Sequence, residues 1–200
     1  GIATVNASGV VTGVSAGTAE IRYTVTSNGC STTATKLITV NALPTVSALT
    51  GTASVCVGST TTFSSTTSGG VWSSSATGIA TVNASGVVTG VSAGTSTISY
   101  AVTTNGCTTT VTRDVTVNAK PNVTVTSPSI CSGSTATIQA NGAADGYTWT
   151  GGLSGNPATT PVLNTTTTYT VTGTTNGCSN TAVSTVTVSS SAPTVTITSN

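Results

Sequence analysis

Covalent chemistry in these 200 residues could come from five cysteines: Cys30, Cys56, Cys107, Cys131 and Cys178. Ionic chemistry has little more to draw on. Arg22, Lys36, Arg113 and Lys120 stand against Glu20, Asp114 and Asp145, and there is no histidine. Acid–base catalysis needs a titratable group held at the proton it moves, and a metal needs several convergent ligands. Asp114 and Asp145 have no acidic neighbour, so neither builds the oxygen cage that calcium takes. Asp145, in Ala144-Asp145-Gly146, reads as a turn residue. Asp114 alternates to the strand face opposite Arg113, while Glu20 and Arg22 share a face and form a weak surface pair. The 51 threonines and 28 serines lack an activating base, so they are poor nucleophiles. The expectation is a non-enzyme with no catalytic residue, no cofactor and no metal. A net charge of +1 gives none of the basic footprint that nucleic acid requires.

The cysteines are spaced by a repeat. Residues 1–18 read GIATVNASGVVTGVSAGT, and residues 78–95 read the same, at an offset of 77. Tyr23 then maps to Tyr100, Asn28-Gly29-Cys30 to Asn105-Gly106-Cys107, Lys36 to Arg113 and Asn41 to Asn118. A more divergent unit from Pro121 keeps Asn176-Gly177-Cys178 near its end. Such a period signals an array of similar modules. The units are placed at residues 44–120 and 121–192. Residues 1–43 form the back part of a preceding unit and 193–200 the first strand of a following one, as in a window on a longer chain. Cys56 opens one unit and Cys107 closes it, and Cys131 and Cys178 do the same in the next. The simplest pairing consistent with the repeat is therefore Cys56–Cys107 and Cys131–Cys178, with Cys30 bonded upstream. Loops near fifty residues would each contribute about 4 kcal/mol in the chain-entropy model. The alternative is free buried thiols in a reducing compartment; paired cysteines imply an extracellular setting.

The elements that position these residues are strands. Ile98, Tyr100 and Val102 alternate with Thr97, Ser99 and Ala101, and Ile21, Tyr23 and Val25 alternate in the same way, as in half-buried strands. Asn105-Gly106 is a two-residue hairpin signal. Many short strands, frequent turns and no helical periodicity predict an all-β chain: a tandem array of small Ig-like β-sandwiches, end to end. No apolar run is long enough to span a bilayer, so membrane insertion is not expected.

The string at residues 76–100, ATGIATVNASGVVTGVSAGTSTISY, resembles the signature of bacterial immunoglobulin-like domains of group 2. The 121–192 unit lacks it and is similar to polycystic-kidney-disease-like or other Ig-like modules. Cys56…Trp72…Cys107 and Cys131…Trp149…Cys178 echo two cysteines bracketing a strand tryptophan. Thr-rich arrays of such modules with NGC turns resemble giant surface adhesins of the Bacteroidota, such as SprB-like gliding adhesins exported by type IX secretion. That resemblance implies structural stalk or spacer repeats on a bacterial cell surface, serving adhesion or gliding motility. The implied partners are neighbouring domains of the same chain, together with surface glycans or the secretion and motility machinery. It carries over no site residues.

Two other readings stand beside the spacer. Tyr147 and Trp149 share a strand face and could stack on a sugar as a carbohydrate-binding module, although core packing is the commoner fate of such a tryptophan. A self-assembling extracellular filament would instead need large contacts between chains. Asn6, Asn83, Asn122 and Asn164 begin N-x-S/T triplets, which arise by chance in a Thr-rich chain. One consequence of the charge inventory can be measured directly. Stability changes with pH only through groups that titrate differently in folded and unfolded states. With three acids and no histidine, the melting temperature should move little between about pH 5 and 9. A sharp step near pH 6 would contradict this.

Overall fold

The computed structural model describes residues 1–142 and 144–190; the strand expected at 193–200 lies outside them. The described residues form nineteen β-strands and no helix. Residues 1–43 supply β1 (Ala3–Val5), β2 (Val11–Gly13), β3 (Gly17–Ser27) and β4 (Cys30–Val40). β1 pairs with β2 and β3 with β4, both antiparallel. The β3–β4 hairpin turns on Asn28 and Gly29, with φ of 52° and 81°. Two left-handed residues in a row match the right-handed twist of the flanking strands, which is why Asn-Gly sits there. Asn105-Gly106 and Asn176-Gly177 repeat the geometry.

The second unit has β5 (Ser54–Cys56), β6 (Thr60–Thr62), β7 (Val71–Ser74), β8 (Ala80–Val82), β9 (Val87–Gly90), β10 (Gly94–Thr104) and β11 (Cys107–Asn118). One sheet runs β5-β11-β10-β7 and the other β6-β9-β8. In immunoglobulin lettering these are A′GFC and BED, the two faces of an Ig-like sandwich. β5 is parallel to β11, unlike its antiparallel neighbours. Alternation along β10 drives Ser96, Ile98, Tyr100 and Val102 inward. Phe63, Val88, Ile98 and Val115 fill the core without solvent exposure.

The third unit repeats the frame with β12 (Thr124–Val125), β13 (Ser129–Cys131), β14 (Thr137–Ile138), β15 (Ala140–Asn141), β16 (Gly146–Trp149), β17 (Ala158–Thr159), β18 (Thr167–Thr175) and β19 (Cys178–Ser189). The order β13-β19-β18-β16, again with β13 parallel to β19, faces the small pairs β14-β17 and β12-β15. Ile138, Val171 and Val186 are fully buried there. The chain is thus a tandem series of Ig-like β-sandwich units.

The first unit departs from the expected half-buried strand. Tyr23 is 71% exposed, whereas its repeat equivalent Tyr100 is 5% exposed. Tyr100 is covered by Leu49, Val46 and Trp72, all from the 44–77 stretch, and residues 1–43 correspond only to 78–120. The same asymmetry distinguishes two glycines in identical sequence. Gly9 and Gly86 both have φ of +77°, but a Cβ at Gly9 meets nothing, while one at Gly86 collides with the Phe63 carbonyl oxygen. Left-handed strain alone costs about 1–2 kcal/mol, and overpacking adds about 1–3 kcal/mol. Thermal melts should therefore show Gly86→Ala clearly more destabilising than Gly9→Ala. Equal shifts would contradict the packing described.

Candidate functional site

The feature of the fold with the most chemistry is a covalent bond between units. Cys56 and Cys178 form a disulfide, with Cα atoms 5.6 Å apart and 122 positions between them in sequence. Cys56 ends β5, and its register partner on β11 is Asn118, the last residue of that strand. Cys178 opens β19 directly after the Asn176-Gly177 turn. The first residues of the third unit bring that turn against the end of the second. Asn180 Nδ2 donates to the Pro121 carbonyl at 3.1 Å, and Cys178 Sγ lies 3.9 Å from the Asn118 carbonyl oxygen. Asn118 O also accepts the Val57 N–H at 3.0 Å, so one carbonyl organises both sides of the junction. Pro121 fixes φ and biases its predecessor towards extended geometry, which limits swing at the joint.

This corrects the expected in-unit pairing. Cys56–Cys107 and Cys131–Cys178 do not form, and Cys30, Cys107 and Cys131 are unbonded among the described residues. The reason is strand length. Cys56 is level with Asn118, whereas Cys107 is the first residue of the twelve-residue β11. A strand of that length separates its ends by about 40 Å, and a disulfide tolerates no more than about 7 Å between Cα atoms. Cys131 is likewise level with Ser189, at the far end of β19 from Cys178. The second and third units therefore each carry one cysteine at each end, which suits bonds across junctions rather than within units. The sequence carries half of the signal, since a cysteine that immediately follows an Asn-Gly turn opens a long strand; the end reached by the other cysteine is set by the parallel pairing of β5 with β11 and of β13 with β19.

The remaining candidates are structural. Trp72 stacks at a tilt on Tyr100, with ring centroids 4.6 Å apart. Trp149 Nε1 donates to the Gly155 carbonyl at 3.0 Å, and the Tyr147 hydroxyl donates to the Gly142 carbonyl at 2.9 Å. Both rings pack on the third unit's core. The polar handles a sugar platform would present are thus used internally. Asn6 and Asn83 are turn organisers: Asn83 Oδ1 accepts the N–H groups of Ser85 and Val87 at 2.9 and 3.0 Å, and Asn6 does the same for Ser8 and Val10. Glu20 and Arg22 pair at 3.1 Å on the surface. Asp114 accepts from Thr97 Oγ1 at 2.6 Å, and Asp145 Oδ2 accepts the Asn176 N–H at 3.4 Å. Arg113 was not legible as a packing residue. Its guanidinium lies over the Phe63 ring, 5.5 Å from the centroid, and donates to the Leu49 carbonyl at 2.8 Å.

No protein-family model matches the chain, and no curated protein matches it significantly. Among solved structures it is similar to domains 1–6 of the surface layer protein SbsC, at 16% identity over 96% of this chain with a TM-score of 0.34. This chain spans 37% of that one. It is also similar to titin I67–I69, at 11% identity over 94% of this chain and 82% of that chain, TM-score 0.40. Drosophila OTK extracellular domains 3–5 match at 10% identity over 94% and 78%, TM-score 0.38. The Ig-like arrangement rests on strand order and pairing, not on these likenesses.

Proposed function

We propose that this chain is a run of load-bearing spacer units, bounded near residues 44–120 and 121–192, in the stalk of a bacterial cell-surface adhesin. The observation that carries the reading is the Cys56–Cys178 bond, which ties one sandwich to the next across their junction. A joint held by a disulfide and a proline keeps direction, as a spacer requires, and a disulfide belongs in an oxidising, extracellular setting. The group 2 Ig-like signature and the NGC turns support placing it in a Bacteroidota-type surface adhesin. A role in gliding and export by type IX secretion follow from the same resemblance. The chain's own role is structural and non-enzymatic, and recognition belongs to whatever the stalk carries.

Excising residues 44–120 tests this, because Leu43 then meets Pro121 in the repeat register. Small-angle scattering should show the particle shortened by about 40 Å, one strand length, with no binding activity lost. Micromolar binding of the chain to a surface glycan, abolished by Trp149→Ala, would overturn the spacer reading in favour of a carbohydrate-binding module.

A further inference from the structure

The two junctions between units are built from the same parts, and among the described residues only one of them contains a disulfide. At each, a long strand runs into Asn-Ala-x-Pro: Asn41-Ala42-Leu43-Pro44 after β4, and Asn118-Ala119-Lys120-Pro121 from the last residue of β11. Against each strand end sits an Asn-Gly-Cys turn of the following unit. Asn105 and Gly106 have φ of 49° and 79°, and Asn176 and Gly177 have 49° and 75°, so both turns present their cysteine in the same way. Cys107 Sγ lies 3.9 Å from the Asn41 carbonyl oxygen, and Cys178 Sγ lies 3.9 Å from that of Asn118.

That equality separates placement from bonding. Cys107 is a free thiol with a weak S–H donor, whereas the Cys178 sulfur is bonded to Cys56 and has no proton to donate. The same separation with and without a bond is set by the backbone on either side. That backbone has little freedom. The three residues from Asn118 to Pro121 reach about 10 Å at most, and Pro121 restricts both itself and Lys120. Leu43 and Pro44 are restricted in the same way. Each junction also uses one side-chain amide. Asn41 Nδ2 donates into the turn, to the Asn105 carbonyl at 2.9 Å. At the other junction the amide comes from beyond the turn, where Asn180 Nδ2 donates to the Pro121 carbonyl at 3.1 Å. Asn118 Nδ2 is held inside its own unit by Ser54 Oγ at 2.9 Å.

We propose that the Asn-Ala-x-Pro strand end is a preformed seat for the Asn-Gly-Cys turn of the following unit, and that the disulfide is a latch which closes on a junction already in place. Cys56 belongs to the seat. It ends β5 level with Asn118, and its Sγ lies 3.9 Å from the Gly177 carbonyl oxygen of the turn. Closure takes two protons and two electrons from the Cys56 and Cys178 thiols, and a small-molecule disulfide accepts them and leaves as two thiols. Direction is therefore encoded by the asparagines and the proline, and sulfur adds strength without changing shape. The redox state of the surroundings sets the load at which the junction parts, not the way the units point. The seat is a property of the junction and holds whatever a stalk carries.

The test uses the full chain carrying Cys30→Ser, Cys107→Ser and Cys131→Ser, so that Cys56 and Cys178 alone exchange. Equilibration with reduced and oxidised glutathione, then acid quenching and mass spectrometry, gives the effective concentration of the two thiols for each other. Units swinging on a short flexible linker would give millimolar values. A preformed seat should give a value at least about 100-fold higher, because orientation is fixed in advance. Pro121→Gly combined with Asn180→Ala should lower that value at least about tenfold. A millimolar value in the parent, or a value the loosened variant does not change, overturns the proposal. Small-angle scattering gives a second readout that needs no sulfur chemistry. Cys178→Ser should keep the maximum dimension and radius of gyration of the oxidised chain. A shorter or broader distance distribution in Cys178→Ser overturns the proposal as well.

Discussion

Phe63→Ala is expected to lower the stability of the second unit by about 3–5 kcal/mol, the range for truncating a fully buried aromatic. Phe63 is the chain's one phenylalanine and is 0% exposed. It sits where the two sheets meet: its N–H donates to the Gly86 carbonyl at 2.9 Å, and its ring lies under the Arg113 guanidinium. Truncation removes the ring's apolar burial and leaves a cavity that β-sheet backbones on both sides cannot close. It also leaves the buried Nε of Arg113, which has no hydrogen-bond partner, without the ring beside it. Small domains have only about 5–15 kcal/mol in total, so with the Cys56–Cys178 bond reduced the second unit should be largely destabilised while the third keeps its own transition. Urea titration of the reduced protein, followed by fluorescence with either Trp72 or Trp149 replaced by Phe, separates them, since the two tryptophans report on different units. A loss below about 1 kcal/mol would contradict the core as described.

Cys178→Ser should remove about 4 kcal/mol from whichever unit unfolds first. With the second unit folded, the bond anchors Cys178 beside Asn118, so unfolding the third unit leaves a closed loop of roughly 60 residues, worth about 4 kcal/mol in the chain-entropy model. The same reasoning applies to the second unit with the third folded. When both are unfolded, the loop spans 122 positions, worth only about 5 kcal/mol in all. The first unfolding event therefore bears nearly the whole cost and the second almost none, which pushes the two units towards unfolding together. Calorimetry of the oxidised protein should show their transitions merged, and Cys178→Ser or reduction should separate and lower them. Two independent transitions that ignore reductant would contradict the bond's position.

The fold was legible because its signals are local. Ile98, Tyr100 and Val102 declare a strand with one buried face, and Asn-Gly before each of Cys30, Cys107 and Cys178 can satisfy its left-handed φ values only in a tight hairpin. The cysteine pairing was not legible by the same logic, because proximity in sequence order says nothing about which end of a sheet a residue occupies. Cys56 and Cys107 bracket one unit, yet β5 runs parallel to β11 and pairs only with its final residues. The crossing from one sheet to the other, not the count of residues, decides that Cys56 ends up at the junction. Arg113 was misleading for a related reason. It shares a strand face with Val115 and Val117, and a charged residue on an inward face becomes plausible only once the Leu49 carbonyl and the Phe63 ring are seen to meet it. Tyr23 shows the converse: its alternation is that of a core strand, and its exposure reflects the absence of a facing 44–77 stretch from residues 1–43.

The central claim is that tension passes from unit to unit through sulfur rather than through the folded chain between them. Stretching single molecules held at Gly1 and Asn200 tests it most directly. With the bond intact, force runs from Cys56 to Cys178, and the 122-position span between them stays off the load path. Adding a reductant should release about 400 Å of further contour length, at about 3.5 Å per residue. An oxidised molecule that already extends to the same contour length as the reduced one would contradict the account.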